Sequence, residues 1–224
     1  MKKKNKSSGA KREPGLFRRL EALYRRMELA YASCAEEAGL SCADCPTNCC
    51  TSFFQHHTYV EWSYLWRGLL ELPDHRRREI VRLAEDYMGE AGSALALNAV
   101  PKAMCPLNSD SLCTLYSYRM MICRMHGTRN VLTMPDGRRR FFPGCARFVS
   151  LPCTADPSFS NRQEGGRVVS RDTPDDACPS LDRTPFYAEL AALEREFLTR
   201  AASPLTRVNL TLAEMILLGP PALR

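Results

Sequence analysis

The chain has 224 residues, 45% of them hydrophobic and 25% charged, with a formal net charge of +6. These fractions are those of globular domains and exclude a wholly unfolded chain; no apolar run approaches the roughly 18 residues that a membrane-spanning helix needs. The charge does not mark a nucleic-acid-binding fold, because six of the 31 basic residues lie within positions 1–12, which hold no acid, and the other 25 balance 25 acidic groups.

Residues 1–13 read as a disordered basic tail, able at most to touch nucleic acid or an anionic surface weakly. No apolar stretch of a secretory signal follows, so a cytoplasmic, reducing location is the expectation. From Pro14 onward Leu16, Leu20, Leu23, Met27, Ala30 and Tyr31 recur at helical spacing, with Gly39 as the stop. The loop 40–57 contains Pro46, Thr47 and Asn48, which favour tight turns. A second helix is predicted from Thr58, where Thr58-Tyr59-Val60-Glu61 has the pattern of a capping box, to about Leu72. After Pro73-Asp74 a third carries Ile80, Leu83, Ala84 and Tyr87 on one face.

Residues 105–127 mix turns with a short helix around Ser117–Met125. Residues 130–142 read as a β-hairpin turned by Asp136-Gly137. Residues 151–183 form an irregular excursion rich in Pro, Asp, Ser and Gly. An amphipathic helix from Thr184 and a shorter, more apolar one from Thr211 to Gly219 complete the chain. The expected fold class is mainly α: a small helical domain, residues 14–150, around a cysteine-rich, loop-built metal core with one β-hairpin. The C-terminal helices of 184–224 pack on the same domain.

Eight of the eleven cysteines form two groups. Cys42, Cys45, Cys49 and Cys50 make C-x2-C-x3-C-C; Cys105, Cys113, Cys123 and Cys145 follow at C-x7-C-x9-C-x21-C. In a reducing compartment such groups point to metal, because the thiolate is a soft and strongly donating ligand. The odd total and the adjacent Cys49-Cys50 pair also suit disulfides poorly. Cys42 and Cys45 can reach one metal from a tight turn. Cys49 and Cys50 point apart and are expected to serve different metals, or a cluster and a supporting role. Spacing leaves open two zinc ions, two cubane iron–sulfur clusters, one of each, or one [4Fe–4S] cluster assisted by the remaining thiols.

A tetrathiolate site is anionic, and burying it is costly unless cations or N–H donors surround it. Arg119 and Arg124, nearest Cys123, are expected to supply that charge, with Arg138, Arg139 and Arg140 solvated. His126 is either a fourth ligand beside three thiolates or a helix-end histidine bonded to a carbonyl. His56 and His57 are expected to be exposed, and Cys34, Trp62 and Trp66 to be core residues. Cys153 and Cys178, outside the two groups, read as incidental, the alternatives being a ligand of an unusual site or a reactive thiol. No phosphate-binding glycine loop, nucleophile elbow or HExxH pattern is present.

The blocks CADCPTNCC and CPLNSDSLCTLYSYRMMICR, with the later Gly144-Cys145, resemble the YkgJ-type cysteine-cluster family of zinc- or iron-chelating domains. Cys105-Pro106-Leu107, Cys113, Tyr116, Arg119 and Cys123-Arg124 fall on the family's second block. Met120 stands where the family has proline, and Met125-His126-Gly127 where it has an aromatic. The resemblance spans about residues 40–150. It implies metal held by the eight cysteines, with the Tyr116 hydroxyl bonded near the cluster. The expected function is therefore an iron–sulfur protein with at least one [4Fe–4S]-type cluster, acting on an unidentified protein or small molecule. The alternative is a non-catalytic module stapled by Zn2+ at two four-cysteine sites.

Overall fold

The computed structural model describes residues 15–43, 45, 49–154, 163–164, 167–168, 178–200 and 206–221. The basic tail, the turn residues Pro46–Asn48 and most of the predicted excursion lie outside the described residues. The elements are α1 (Leu16–Glu37), a 3-10 turn (Cys49–Thr51), α2 (Tyr59–Glu71), α3 (Asp74–Ala96), β1 (Asn108–Ser109), β2 (Leu112–Cys113), a second 3-10 turn (Tyr116–Tyr118), α4 (Met121–Met125), β3 (Asn130–Thr133), β4 (Arg139–Phe142), α5 (Ala146–Val149), a third 3-10 turn (Pro152–Thr154), β5 (Gln163–Glu164), β6 (Arg167–Val168), β7 (Leu181–Asp182), α6 (Thr184–Leu198) and α7 (Leu212–Leu217). The fold is mainly α with a small β part, as the sequence predicts.

The helices share one core because each buries a single stripe. Leu20, Leu23 and Met27 of α1 meet Val60, Leu65 and Leu69 of α2, Ile80 and Ala84 of α3, Leu193 and Phe197 of α6, and Met215 of α7. Each such aliphatic side chain contributes roughly 1.5–3 kcal/mol on burial. Trp62 and Trp66, one turn apart on α2, both donate their indole N–H to the Met215 carbonyl, at 3.0 and 2.9 Å. That fixes α7 across α2. Helix α1 stops where expected: Gly39 takes φ +70 and the Leu40 N–H closes on the Ala35 carbonyl at 2.7 Å.

The start of α2 departs from expectation. Thr58 makes no side-chain cap, and Glu61 reaches back to the Thr58 hydroxyl without completing a capping box. The Glu61 carboxylate points into the core instead, accepting from the Tyr24 hydroxyl (2.8 Å), the Thr58 hydroxyl (2.8 Å) and the Met121 N–H (2.7 Å). The free N–H groups of Tyr59 and Val60 are taken by the Glu194 carboxylate of α6, both at 2.9 Å. Glu61 thereby ties α1, α2 and α4 at one buried point. The capping box forms at α7, where Thr211 and Glu214 exchange their bonds.

The hairpin forms as β3 and β4, but its turn centres on Pro135-Asp136, with Gly137 at φ +82 in the left-handed position after it. The predicted single hairpin is also incomplete. Strand β7 adds in parallel to β3, giving the order β4-β3-β7, and β1 pairs with β2 inside the second cysteine region. Both β7 and the β1–β2 ladder are two residues long, too short to show any alternation in sequence. The predicted helix around Ser117–Met125 is broken at Arg119 and Met120. Met120 is fully buried at φ −74, ψ 162, a backbone that proline also holds.

Candidate metal centre

The two cysteine groups converge. Cys49 and Cys50 lie on the 3-10 turn, and Cys105 is joined to it by its own backbone, the Cys105 N–H donating to the Cys50 carbonyl at 3.0 Å. Cys113 comes from β2 and Cys123 from α4. These five cysteines line one cavity of about 170 Å3, together with Arg119, His126, Tyr116 and Ser52. Among the described residues, no group of three or more His, Cys, Asp or Glu side chains is placed to hold a single metal ion.

Two local turns present the sulfurs. The Leu107 backbone N–H donates to the Cys105 sulfur, and the Leu115 N–H does the same to Cys113. In each the leucine two residues on is buried, so the hydrophobic core holds the donor in place. The β1–β2 ladder pairs Asn108 with Cys113 and brings the two turns together. This is the physical content of the Cys-x-Leu pattern that occurs twice in the second block.

Burial pushes the Cys105, Cys113 and Cys123 thiols up, Cys123 to about 12, and the neighbouring sulfurs add to the effect in all three. Cys50 goes the other way. It accepts the Cys49 S–H, and this bond, with the nearby Asn108 amide and the Arg119 charge, holds it below the usual thiol range. Of the five, Cys50 is the one whose surroundings favour the thiolate. Arg119 also opposes the rise at Cys113 and Cys123, and its guanidinium lies 3.7 Å over the Tyr116 ring.

Arg124 has a different task. Its side chain is buried, pairs with Glu28, donates to the Arg119 and Ser117 carbonyls (2.7 Å each) and covers the Tyr24 ring at 4.1 Å. It pins the turn that aims Arg119. Tyr116 is 57% exposed and serves as the shelf for Arg119, rather than packing with its hydroxyl at the thiols.

Cys42 and Cys145 stand outside the cavity. Both lie beside Tyr31, the Cys42 sulfur 3.9 Å from its hydroxyl; burial, then the charges of Cys42, Cys145 and Cys49, raise the phenol well above its usual range. Cys45 lies half-buried on the same loop as Cys42. Gly144 explains the glycine before Cys145. At φ +91 any Cβ there would lie 2.6 Å from the Gly127 carbonyl oxygen, the atom that accepts the Cys145 N–H at 2.9 Å.

Histidine placement differs from the sequence reading. His126 lines the cavity with Nε2 3.3 Å from the Ser52 hydroxyl, and burial holds it below the usual imidazole range. His56, expected to be exposed, is buried in the cavity wall because its backbone pairs with Leu210; burial drives it down to about 3. His57 is exposed, as are Arg138, Arg139 and Arg140. Cys34 is a buried helix residue, in line with expectation. Cys153 and Cys178 pack together with Phe148 and Cys145 in a second small core.

No helix among the described residues is long and apolar enough to cross a membrane. Compared with known proteins, the chain matches no family model, no curated protein and no solved structure.

Proposed function

We propose that this chain is an iron–sulfur protein in which Cys50, Cys105, Cys113 and Cys123 hold a [4Fe–4S]-type cluster, and that it serves a redox or cluster-assisted role on a partner protein or small molecule. The shape of the donor set carries this reading. A single zinc ion with Zn–S bonds of about 2.3 Å draws four sulfurs to within about 4 Å of one another. The cavity cysteines are not gathered in that way; they surround a space of about 170 Å3. A polynuclear cluster spreads its ligands over several metal atoms and suits such a space.

The surroundings support the same reading. The N–H groups of Leu107 and Leu115 donate to two of the four sulfurs, the Asn108 amide lies beside a third, and Arg119 offsets charge at Cys50, Cys113 and Cys123. Hydrogen bonds to sulfur and nearby charge are the means by which a protein sets a cluster's potential. When bound, such a cluster supplies one-electron chemistry. Cys49 holds the Cys50 sulfur in place, and Arg124 and Tyr116 keep Arg119 directed at it. The residues that carry the YkgJ-type resemblance in the second block are largely those that line this cavity. The reading implies a reducing, cytoplasmic setting in which the thiols stay available.

Metal analysis with optical spectroscopy on anaerobically purified protein tests it. The expected result is brown protein with broad absorbance near ~400 nm and roughly four irons per chain. Colourless protein with about two zincs per chain replaces this reading with the structural zinc module.

A further inference from the structure

Three cysteines lie outside the two motif groups, and the fold brings two of them, Cys153 and Cys178, together from distant positions in the chain. Cys34 lies on α1, Cys153 on the 3-10 turn Pro152–Thr154, and Cys178 three residues before β7. The Cys178 S–H is hydrogen-bonded to the Cys153 sulfur, and the Arg129 side chain donates to the Cys178 sulfur. Cys178 is buried, 5% exposed, against Phe148; Cys153 is half-buried and is the more accessible of the two. Cys34 is buried separately on α1, beside Thr128. Burial and Cys153 push the Cys178 thiol up to about 12 and Arg129 opposes them, while a sulfur pair already in contact with solvent access to one member permits thiol–disulfide exchange.

From this contact we infer that Cys153 and Cys178 form a reversible dithiol clasp that is oxidised by low-molecular-weight disulfides and that, when closed, ties the two ends of residues 154–177. Cys153, as thiolate, attacks one sulfur of the disulfide RSSR. The S–S bond of RSSR breaks, one RS⁻ leaves and takes up the Cys153 proton, and a mixed disulfide remains on Cys153. Cys178 then attacks the Cys153 sulfur and expels the second RS⁻, which takes the Cys178 proton. Two cysteine thiols are oxidised to one disulfide and one RSSR is reduced to two RSH. The Arg129 guanidinium stabilises the developing Cys178 thiolate in the second step. Excess RSH reverses both steps.

The clasp is independent of the metal reading, and one experiment separates them. The full chain, reduced, desalted and at whatever metal content it carries, is incubated with excess oxidised glutathione, alkylated and mapped by non-reducing proteolysis and mass spectrometry. The expected result is a Cys153–Cys178 crosslink, reversed by reduced glutathione, with metal content unchanged and Cys34 alkylated. In Cys178→Ser, a glutathione mixed disulfide on Cys153 is expected instead. The inference is overturned if Cys153 and Cys178 both remain alkylatable in the wild-type chain, if Cys153 links to Cys34 or another cysteine, or if Cys153→Ser loses metal, which would make Cys153 a ligand.

Discussion

Cys105, Cys113 and Cys123 are held by backbone that the core fixes, whereas Cys42 and Cys145 lie beside a single tyrosine, Tyr31. The first three face one another in a cavity, with leucine N–H donors and an arginine directed at their sulfurs. The others lie at its margin, and Cys42 is exposed on the loop that follows α1. In sequence all eight motif cysteines look equivalent. Among the described residues, the cavity stabilises negative charge with leucine N–H donors and Arg119, whereas the neighbour of Cys42 is the Tyr31 hydroxyl.

The largest effect is expected at the cavity. Cys123→Ser should reduce metal content to near zero and destabilise the fold, since ligand binding and folding are linked; metal analysis with far-UV circular dichroism checks both. Full metal content in that variant would erase the distinction between cavity and margin.

The cavity wall should show a pH signature. His56 is neutral in the fold, with its pKa lowered to about 3, while the unfolded chain takes up a proton below its ordinary value near 6.5. The folded state is therefore fully stable above about 6.5 and loses stability as pH falls toward 3, by on the order of several kcal/mol. Chemical denaturation of His56→Leu across that range should show a flatter pH dependence than wild type. An unchanged slope would place the titration elsewhere.

Gly144 joins the margin to the cavity through Gly127. Gly144→Ala should cost about 2–3 kcal/mol, from the clash with the Gly127 carbonyl and the left-handed backbone, and should lower the denaturation midpoint. The smallest effect is expected at the margin itself: Cys42→Ser should leave metal content and midpoint within error of wild type. A loss of metal there would move the centre toward Tyr31.

Much of the helical frame is legible in the sequence, because α1, α2, α3 and α6 each repeat an apolar stripe long enough to register. The two Thr-x-x-Glu patterns show where legibility ends. Both fit a capping box, yet only Thr211–Glu214 forms one. At Thr58 the glutamate is claimed by Tyr24 and Met121, partners 37 and 60 residues away that no local pattern contains. The ligand candidates are legible as spacing, but their division between cavity and margin is not, since it depends on which backbone N–H groups reach which sulfur. The Cys-x-Leu repeat carried that signal. His56 was missed because its burial comes from pairing with Leu210, 154 positions on, and Cys153 and Cys178 because their contact spans the segment between them.

The central claim is that the cavity thiols, and not the marginal ones, hold a polynuclear cluster. Anomalous scattering at the iron edge, from crystals of the anaerobically purified chain, tests it most directly. The account predicts iron density enclosed by the sulfurs of Cys50, Cys105, Cys113 and Cys123. A lone zinc peak bound by Cys42, Cys45 and Cys145, with the cavity thiols free, would contradict it.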